Sequence, residues 1–238
     1  MIDVQNLLLY SRNGVKRLNI PALHINSPGI TALVGHNGAG KSSLLKLIAG
    51  LDQPSAGSIL YHGKNTFLNY ETIKSEIHLL SWGIELFKSL TANDHFNLMK
   101  KISPVWDTEI ETELLKDLII PLDKKIERMS RGEQVRLRLL LSLPRAPKII
   151  LLDEVTNDLD NDSRRAIFKN LDKYTFATGA QVIVATNMIE DIERYATGII
   201  LLRMGEVILQ DSLDTVKEKH KTSFEEIIRI YEKEGAKT

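Results

Sequence analysis

The sequence has no cysteine, which excludes disulfides, thiolate metal sites and cysteine nucleophiles. Long apolar runs are missing as well. The uninterrupted ones, such as Ile149 to Leu152, fall far short of the roughly 20 residues that a membrane-spanning helix needs. No basic segment leads into an apolar one at the N-terminus (Met-Ile-Asp-Val-Gln), so no secretion signal is read and a soluble, cytoplasmic protein is expected. Charge of one sign is not in excess: Lys+Arg and Asp+Glu number 31 each among 238 residues. That balance gives no global field for nucleic acid or an anionic membrane surface. No long coiled coil and no basic, aromatic-rich face is seen, which argues further against a nucleic-acid partner. No internal repeat stands out, and the one strongly polar, unpatterned stretch is the tail near Lys233 to Thr238.

What is present is concentrated at residues 35 to 43, Gly-His-Asn-Gly-Ala-Gly-Lys-Ser-Ser, a full match to the phosphate-binding loop pattern G-x-x-x-x-G-K-[ST]. Gly35, Gly38 and Gly40 allow a tight turn in which successive N–H groups, those of His36, Asn37, Ala39 and Ser43 among them, point inward at phosphates. Lys41 adds a point charge there, and the Ser42 hydroxyl suits one coordination position on Mg²⁺. Ile30 to Val34 reads as a buried strand before the loop, and Ser42 to Ala49 as a helix after it, with Leu44, Leu45 and Ile48 on one face. Strand, glycine loop and helix N-terminus together form an anion site. The chain is expected to bind a nucleoside triphosphate.

Elsewhere the periodicity gives an α/β architecture. Residues 2 to 9 and 17 to 26 look like strands with a turn at Asn13-Gly14, and Ser58 to Tyr61 like another. Between 71 and 120 helical spacing dominates, as in Thr108 to Leu118, and roughly 84 to 128 is taken as a helical insertion. Strands return at Ile149 to Leu152 and Gln181 to Ala185, with a helix from about Ser163 to Lys173 between them. A hairpin then runs from Gly198 to Leu209, turning at Met204-Gly205. Mostly parallel strands with crossover helices follow from this alternation. Near the end, Phe224, Ile227, Ile228 and Tyr231 share one helical face, which suits a helix docked on its own domain.

Asp153 and Glu154 close the apolar strand Ile149 to Leu152, at the carboxyl edge where open parallel sheets bind ligands. Asp153 is placed to hold Mg²⁺, directly or through water. Glu154, one residue on, is placed to polarise the water that attacks the γ-phosphate.

With these elements in order, the chain resembles the ATP-binding subunits of ABC (ATP-binding cassette) transporters from about residue 2 to 210. Met129-Ser130-Arg131-Gly132-Glu133-Gln134 looks like that family's LSGGQ signature, and Asn157-Asp158-Leu159-Asp160 like its D-loop. The run Gly50-Leu51, Pro54, Gly57 and Gly63 fits a further family pattern. The resemblance implies a single P-loop ATPase domain over 1–238. It would have an antiparallel β subdomain, a parallel sheet core, the helical insertion, and a helical tail over about 211–238. It also implies a head-to-tail dimer in which each P-loop faces the partner's signature, where Ser130 and the Gly132 N–H offer donors to a γ-phosphate. Arg131 stands where the family has the first glycine of its pair, adding bulk and charge while leaving both donors. Arg136 and Arg138, on the helix that follows, are read on exposed faces. An aromatic near the first strands stacks on adenine in this family. Tyr10 is the candidate, one residue off the expected spacing, with strand packing as the other reading.

Two departures bear on rate. No glutamine lies between Gln53 and Gln134, so the family's Q-loop amide is absent, and Trp82 falls near its place. An indole offers one donor and no metal-binding oxygen; packing between the core and the insertion is its expected role. No histidine lies between His95 and His220, and Asn187 occupies the switch position. Asn187 can donate to a γ-phosphate but carries no positive charge. A lost charge-assisted contact costs about 1.5–3 kcal/mol, roughly one to two decades in rate if it acts only in the transition state. The resemblance therefore implies an ATPase of slow or conditional turnover that couples ATP and Mg²⁺ to transport. Its partners would be a separate membrane permease and a second ATP-binding subunit, identical or different, at the inner face of the membrane. Two alternatives are a regulatory subunit paired with a more complete ATPase, and a soluble ABC ATPase acting outside transport. A neighbouring reading frame for a multi-span protein or a second cassette would discriminate them.

Overall fold

Alternating apolar residues in the first strands give one face to a core. In a computed structural model describing residues 1–220 and 222–234, β1 (Ile2–Tyr10) and β2 (Lys16–Ile25) pair antiparallel from Ile2–Ile25 onward. β4 (Ala56–Tyr61) and β5 (Lys64–Asn65) complete a four-stranded sheet of order β2-β1-β4-β5.

A second sheet is built from near-continuous apolar runs. It comprises β3 (Gly29–Val34), β6 (Ile77–Ser81), β7 (Ile149–Asp153), β8 (Gln181–Ala185), β9 (Gly198–Arg203) and β10 (Glu206–Ser212), in the order β10-β9-β3-β8-β7-β6. All neighbours pair parallel except β9 with β10. Every residue of β7 and β8 is buried, as expected for strands covered on both faces.

The helices are α1 (Lys41–Ile48), α2 (Tyr70–Ile73), α3 (Ala92–Ile102), α4 (Thr108–Asp117), α5 (Arg131–Ser142), α6 (Asn161–Thr178), α7 (Ile189–Tyr195), α8 (Leu213–His220) and α9 (Phe224–Glu234). One apolar cluster lies between the sheets and around α1, a second joins the parallel sheet to α3–α6, and a third sits under α7–α9. Phe224 and Ile227 are fully buried in the third, with Ile228 and Tyr231 packed at its rim. The polar stretch near Lys233 to Thr238 lies, beyond Glu234, outside the described residues.

Two sequence expectations need correction. Helical character was read through 71–120, yet Ile77–Ser81 is a strand, β6. Five residues, three of them apolar, are too few for their period to distinguish helix from strand, and pairing with β7 decides it. Arg138 is buried, at 8% exposure, where an exposed face was expected. It turns into the space beside the β6 end, where its Nη1 donates to Ile84 O at 2.6 Å.

One buried titratable group sits on β6. His78 Nδ1 lies 2.8 Å from Ser142 Oγ. Burial, with the nearby Arg145 charge, pushes its pKa down to about 3. The unfolded chain, with an ordinary imidazole near pH 6.5, binds the proton that the folded chain refuses. Stability therefore falls as pH drops from about 6.5 toward 3, by up to about 1.4 kcal/mol per pH unit from this group. His78→Gln is expected to flatten the acid limb of a melting-temperature-against-pH curve over that window. An unchanged slope would show that His78 does not set it.

Candidate active site

The glycine loop joins β3 to α1, and its shape is enforced by neighbours. A Cβ on Gly35 would stand 2.2 Å from Leu202 O, and one on Gly40 would stand 2.6 Å from Leu18 Cδ2. Gly40 also sits at φ +108°, in the left-handed region, as the N-cap of α1 without a side-chain cap. The β9–β10 turn seals the loop from outside: Gly205 N donates to Ala39 O at 2.9 Å. The first-turn N–H groups of α1 thus remain for a ligand. His36 and Asn37 are exposed, Ala39 is buried, and Ser42 and Ser43 are half-buried.

Lys41 is buried at 4% exposure. Its ammonium donates to Gly35 O at 2.7 Å and His36 O at 3.3 Å, and lies 3.0 Å from Glu154 Oε1. Ser42 Oγ donates to Asp153 Oδ1 at 2.7 Å. Asp153 ends β7 opposite Ser81 of β6 and Ala185 of β8. Glu154 follows at φ 55°, anchored by its N–H on Ala185 O at 3.2 Å. That left-handed backbone is uncommon for a residue with a side chain and turns the chain sharply at the sheet edge. Loop lysine, loop serine and both carboxylates, distant in sequence, therefore meet at one place.

The arrangement fits a magnesium nucleotide. Two neighbouring ligands of octahedral Mg²⁺ at 2.0–2.1 Å stand about 2.9 Å apart, and the Ser42 and Asp153 oxygens are 2.7 Å apart. Both are hard oxygens, and the adjacent loop offers backbone donors for phosphate.

Asn187 is exposed just past β8. With Gly35, His36 and Asn37 it borders a cleft whose far wall is Glu225, Ile228 and Arg229 of α9. Behind it, Thr186 Oγ1 donates to Asn157 Oδ1 at 3.0 Å, tying this loop to the segment after Glu154. Tyr10 is 47% exposed, so its ring is not absorbed by strand packing. It pairs with Lys16, next to the Arg17 carbonyl that faces Gly40.

Ser130 and Gly132 stand apart from this cluster, at the start of α5. Ser130 caps the helix in a reciprocal box: its Oγ accepts from Glu133 N at 3.2 Å, and its own N–H donates to Glu133 Oε2 at 2.6 Å. Burial opposes ionisation of Glu133, but the Lys124 ammonium and these Ser130 bonds hold its carboxyl below the usual range. Ser130 is exposed and its hydroxyl keeps a proton to donate, while Gly132 is buried, its N–H being one of the first-turn groups that have no intrahelical acceptor. Arg131 Nη1 bonds Asp158, and Asp160 caps α6 through Ser163. Bonds from Ser163 hold the Asp160 carboxyl below its ordinary pKa.

Sequence reading missed the Ser130–Glu133 box, although the spacing S-x-x-E displays it. It also missed the α9 wall, the Thr186–Asn157 bond and the Arg131–Asp158 pair, for which no local pattern exists.

Against known proteins, the family model described as ABC transporter matches residues 18–157. A lantibiotic transport ATP-binding protein of Streptococcus pyogenes is 28% identical over 220 residues, covering 90% of this chain and 92% of its own length. A methionine import ATP-binding protein of Listeria monocytogenes is 30% identical over 205 residues, covering 82% of this chain and 61% of its own length. Among solved structures, an ATP-binding subunit of an ABC transporter superposes with TM-score 0.85 at 22% identity over 97% of this chain and 99% of its own. A dimeric ATP-binding cassette in a post-hydrolysis state, bound to ADP and Pi, gives TM-score 0.77 at 26% identity, covering 90% of this chain and 99% of its own.

Proposed function

Because the chain belongs to the ABC transporter family, as an ATP-binding subunit that binds ATP with Mg²⁺ and hydrolyses it in the service of transport, we propose the following division of labour among its residues. The observation that carries it is the meeting of the Lys41–Glu154 and Ser42–Asp153 pairs at one sheet edge.

Gly35 to Ser43 cradle the triphosphate with backbone N–H groups, and Lys41 faces its outer phosphates. Ser42 and Asp153 would hold Mg²⁺, which would supply positive charge against the triphosphate. Lys41 has three donors, two of them on the Gly35 and His36 carbonyls. The third faces Glu154 and transfers to phosphate on loading. Glu154, half-buried and released from Lys41, then accepts the proton of the attacking water. Asn187 donates a neutral hydrogen bond near the γ-phosphate. Tyr10 offers its ring to the base. Ser130 and the Gly132 N–H serve a nucleotide held by a second ATP-binding subunit, because within one chain they lie outside the Lys41 cluster. Without a charged switch residue, turnover is slow or depends on assembly.

The second partner is a separate membrane permease, which places the subunit peripherally at the inner face of the membrane. No helix among the described residues is long and apolar enough to cross a membrane. The support for docking is an apolar groove between β6 and α3, lined by Ile84, Phe87, Leu98 and Ile102, all exposed. Burying these side chains on a partner helix is favourable at about 25 cal/mol per Å². Affinity purification of the tagged chain from detergent-solubilised membranes is expected to bring down a multi-span protein and to raise the ATPase rate on reconstitution. Phe87→Ser is expected to weaken both. Capture of soluble proteins alone, with no rate increase, would overturn the transport assignment.

A further inference from the structure

Trp82 leaves the sheet immediately after Ser81, which pairs with Asp153. Its ring is half-buried and packs on the cluster that joins the parallel sheet to α3–α6. Two guanidinium groups reach it from α5: Arg131 at 5.7 Å and Arg138 at 5.5 Å from the ring centroid. Both distances fall within the range of cation–π attraction. The two arginines are seven residues apart, nearly two helical turns, so one face of α5 presents both to the indole. Arg138 is buried, and its Nε lacks a hydrogen-bond partner.

Arg131 is the first residue of α5, where a cation opposes the helix dipole. Two contacts compensate it, the Trp82 ring and the Asp158 carboxylate. Asp158 adjoins Asn157, which accepts from Thr186 beside Asn187. On the other side of the same turn, a Cβ on Gly132 would lie 2.8 Å from Ser163 Oγ, and Arg136 Nη1 donates to that oxygen at 3.0 Å. The helix start carrying Ser130 and Gly132 is thus gripped on two sides, and Arg131 is turned back onto its own subunit.

We propose that Trp82 is a positioning residue for the Ser130–Gly132 donors: its ring clamps Arg131 and Arg138, and so holds the start of α5 in register with the Asp153–Glu154 edge. This rests on the reading that those donors serve a nucleotide on a second subunit. The clamp makes no contact with the chain's own P-loop, so its loss slows turnover and leaves loading intact.

The test uses the 238-residue chain. Trp82→Ala is expected to lower kcat about tenfold, with half-saturation by MgATP changed less than twofold. Trp82→Phe, which keeps a ring face, is expected to retain at least half the rate. Arg131→Gly should lower kcat to a similar degree, and the Trp82→Ala/Arg131→Gly double variant should be no slower than the slower single one. In a Trp106→Phe background Trp82 is the sole tryptophan, and with excitation at the red edge of the indole band, where tyrosine does not absorb, Arg131→Gly is expected to shift its emission without nucleotide. Multiplicative loss in the double variant, a raised half-saturation with kcat unchanged, or no emission shift would overturn the clamp. If Trp82→Ala does not fold, Trp82→Phe, Arg131→Gly and the emission shift still decide it. Failure of the site reading shows separately, as a Glu154→Gln rate equal to wild type while the emission shift persists.

Discussion

Glu154→Gln is expected to reduce the steady-state ATPase rate by about 10²- to 10³-fold while leaving MgATP affinity nearly unchanged. The amide is isosteric, and its oxygen can still accept from Lys41, now 3.0 Å from the carboxylate. What disappears is the capacity to take a proton from water, and positioned general bases contribute about 10²- to 10⁴-fold. Two features concentrate the demand on Glu154. Trp82 cannot orient water with an amide oxygen, and Asn187 brings no charge. The left-handed backbone at Glu154 fixes its exit from β7, so a neighbouring acid such as Asp158, engaged with Arg131, is not placed to substitute. Phosphate release measured beside equilibrium nucleotide binding separates the outcomes. Equal rates for the two proteins would remove Glu154 from catalysis.

Lys41→Ala is expected to weaken ATP binding by about 10- to 150-fold. That range corresponds to the roughly 1.5–3 kcal/mol of a hydrogen bond to a charged group. The ammonium is buried and already oriented by two loop carbonyls, so little ordering remains to be done when phosphate arrives. The substitution also removes the Lys41 donor from the Gly35 carbonyl, leaves the His36 carbonyl with the Ala39 N–H at 3.0 Å, and takes the counter-ion from Glu154. A melting curve run in parallel distinguishes lost affinity from a loosened loop. Unchanged affinity in a folded Lys41→Ala protein would refute the phosphate-loop assignment.

The sites behind these two predictions were readable to different degrees. The loop was legible because its mechanism is local: three glycines, a lysine and a serine within eight residues, flanked by a strand and a helix. Asp153 and Glu154 were legible because an apolar strand ending in acids marks a sheet edge. Strand β6 was not, since a five-residue segment with three apolar side chains suits either period until β7 pairs with it. Arg138 looked solvent-facing from its place on α5, yet the indole and the Ile84 carbonyl draw it inward. The α9 wall facing Asn37 and Asn187 joins residues nearly two hundred positions apart. Amphipathic spacing predicted that α9 docks, but not where.

Residue order alone was enough to establish that this chain grips a nucleoside triphosphate, that its sheet is largely parallel, and that no charged switch residue follows β8. Those properties depend on short-range spacing and on side-chain chemistry, which are complete in the sequence. Folding decided the rest: that Lys41 rests on Glu154, that Ser42 bonds Asp153, and that Arg131 and Arg138 both reach the Trp82 ring. Each of these depends on strand order and helix placement, set by burial of the whole core rather than by any single segment. The physical reason is that a directional contact of a few ångströms needs both partners held in place, and only the packed sheet and helices supply that constraint.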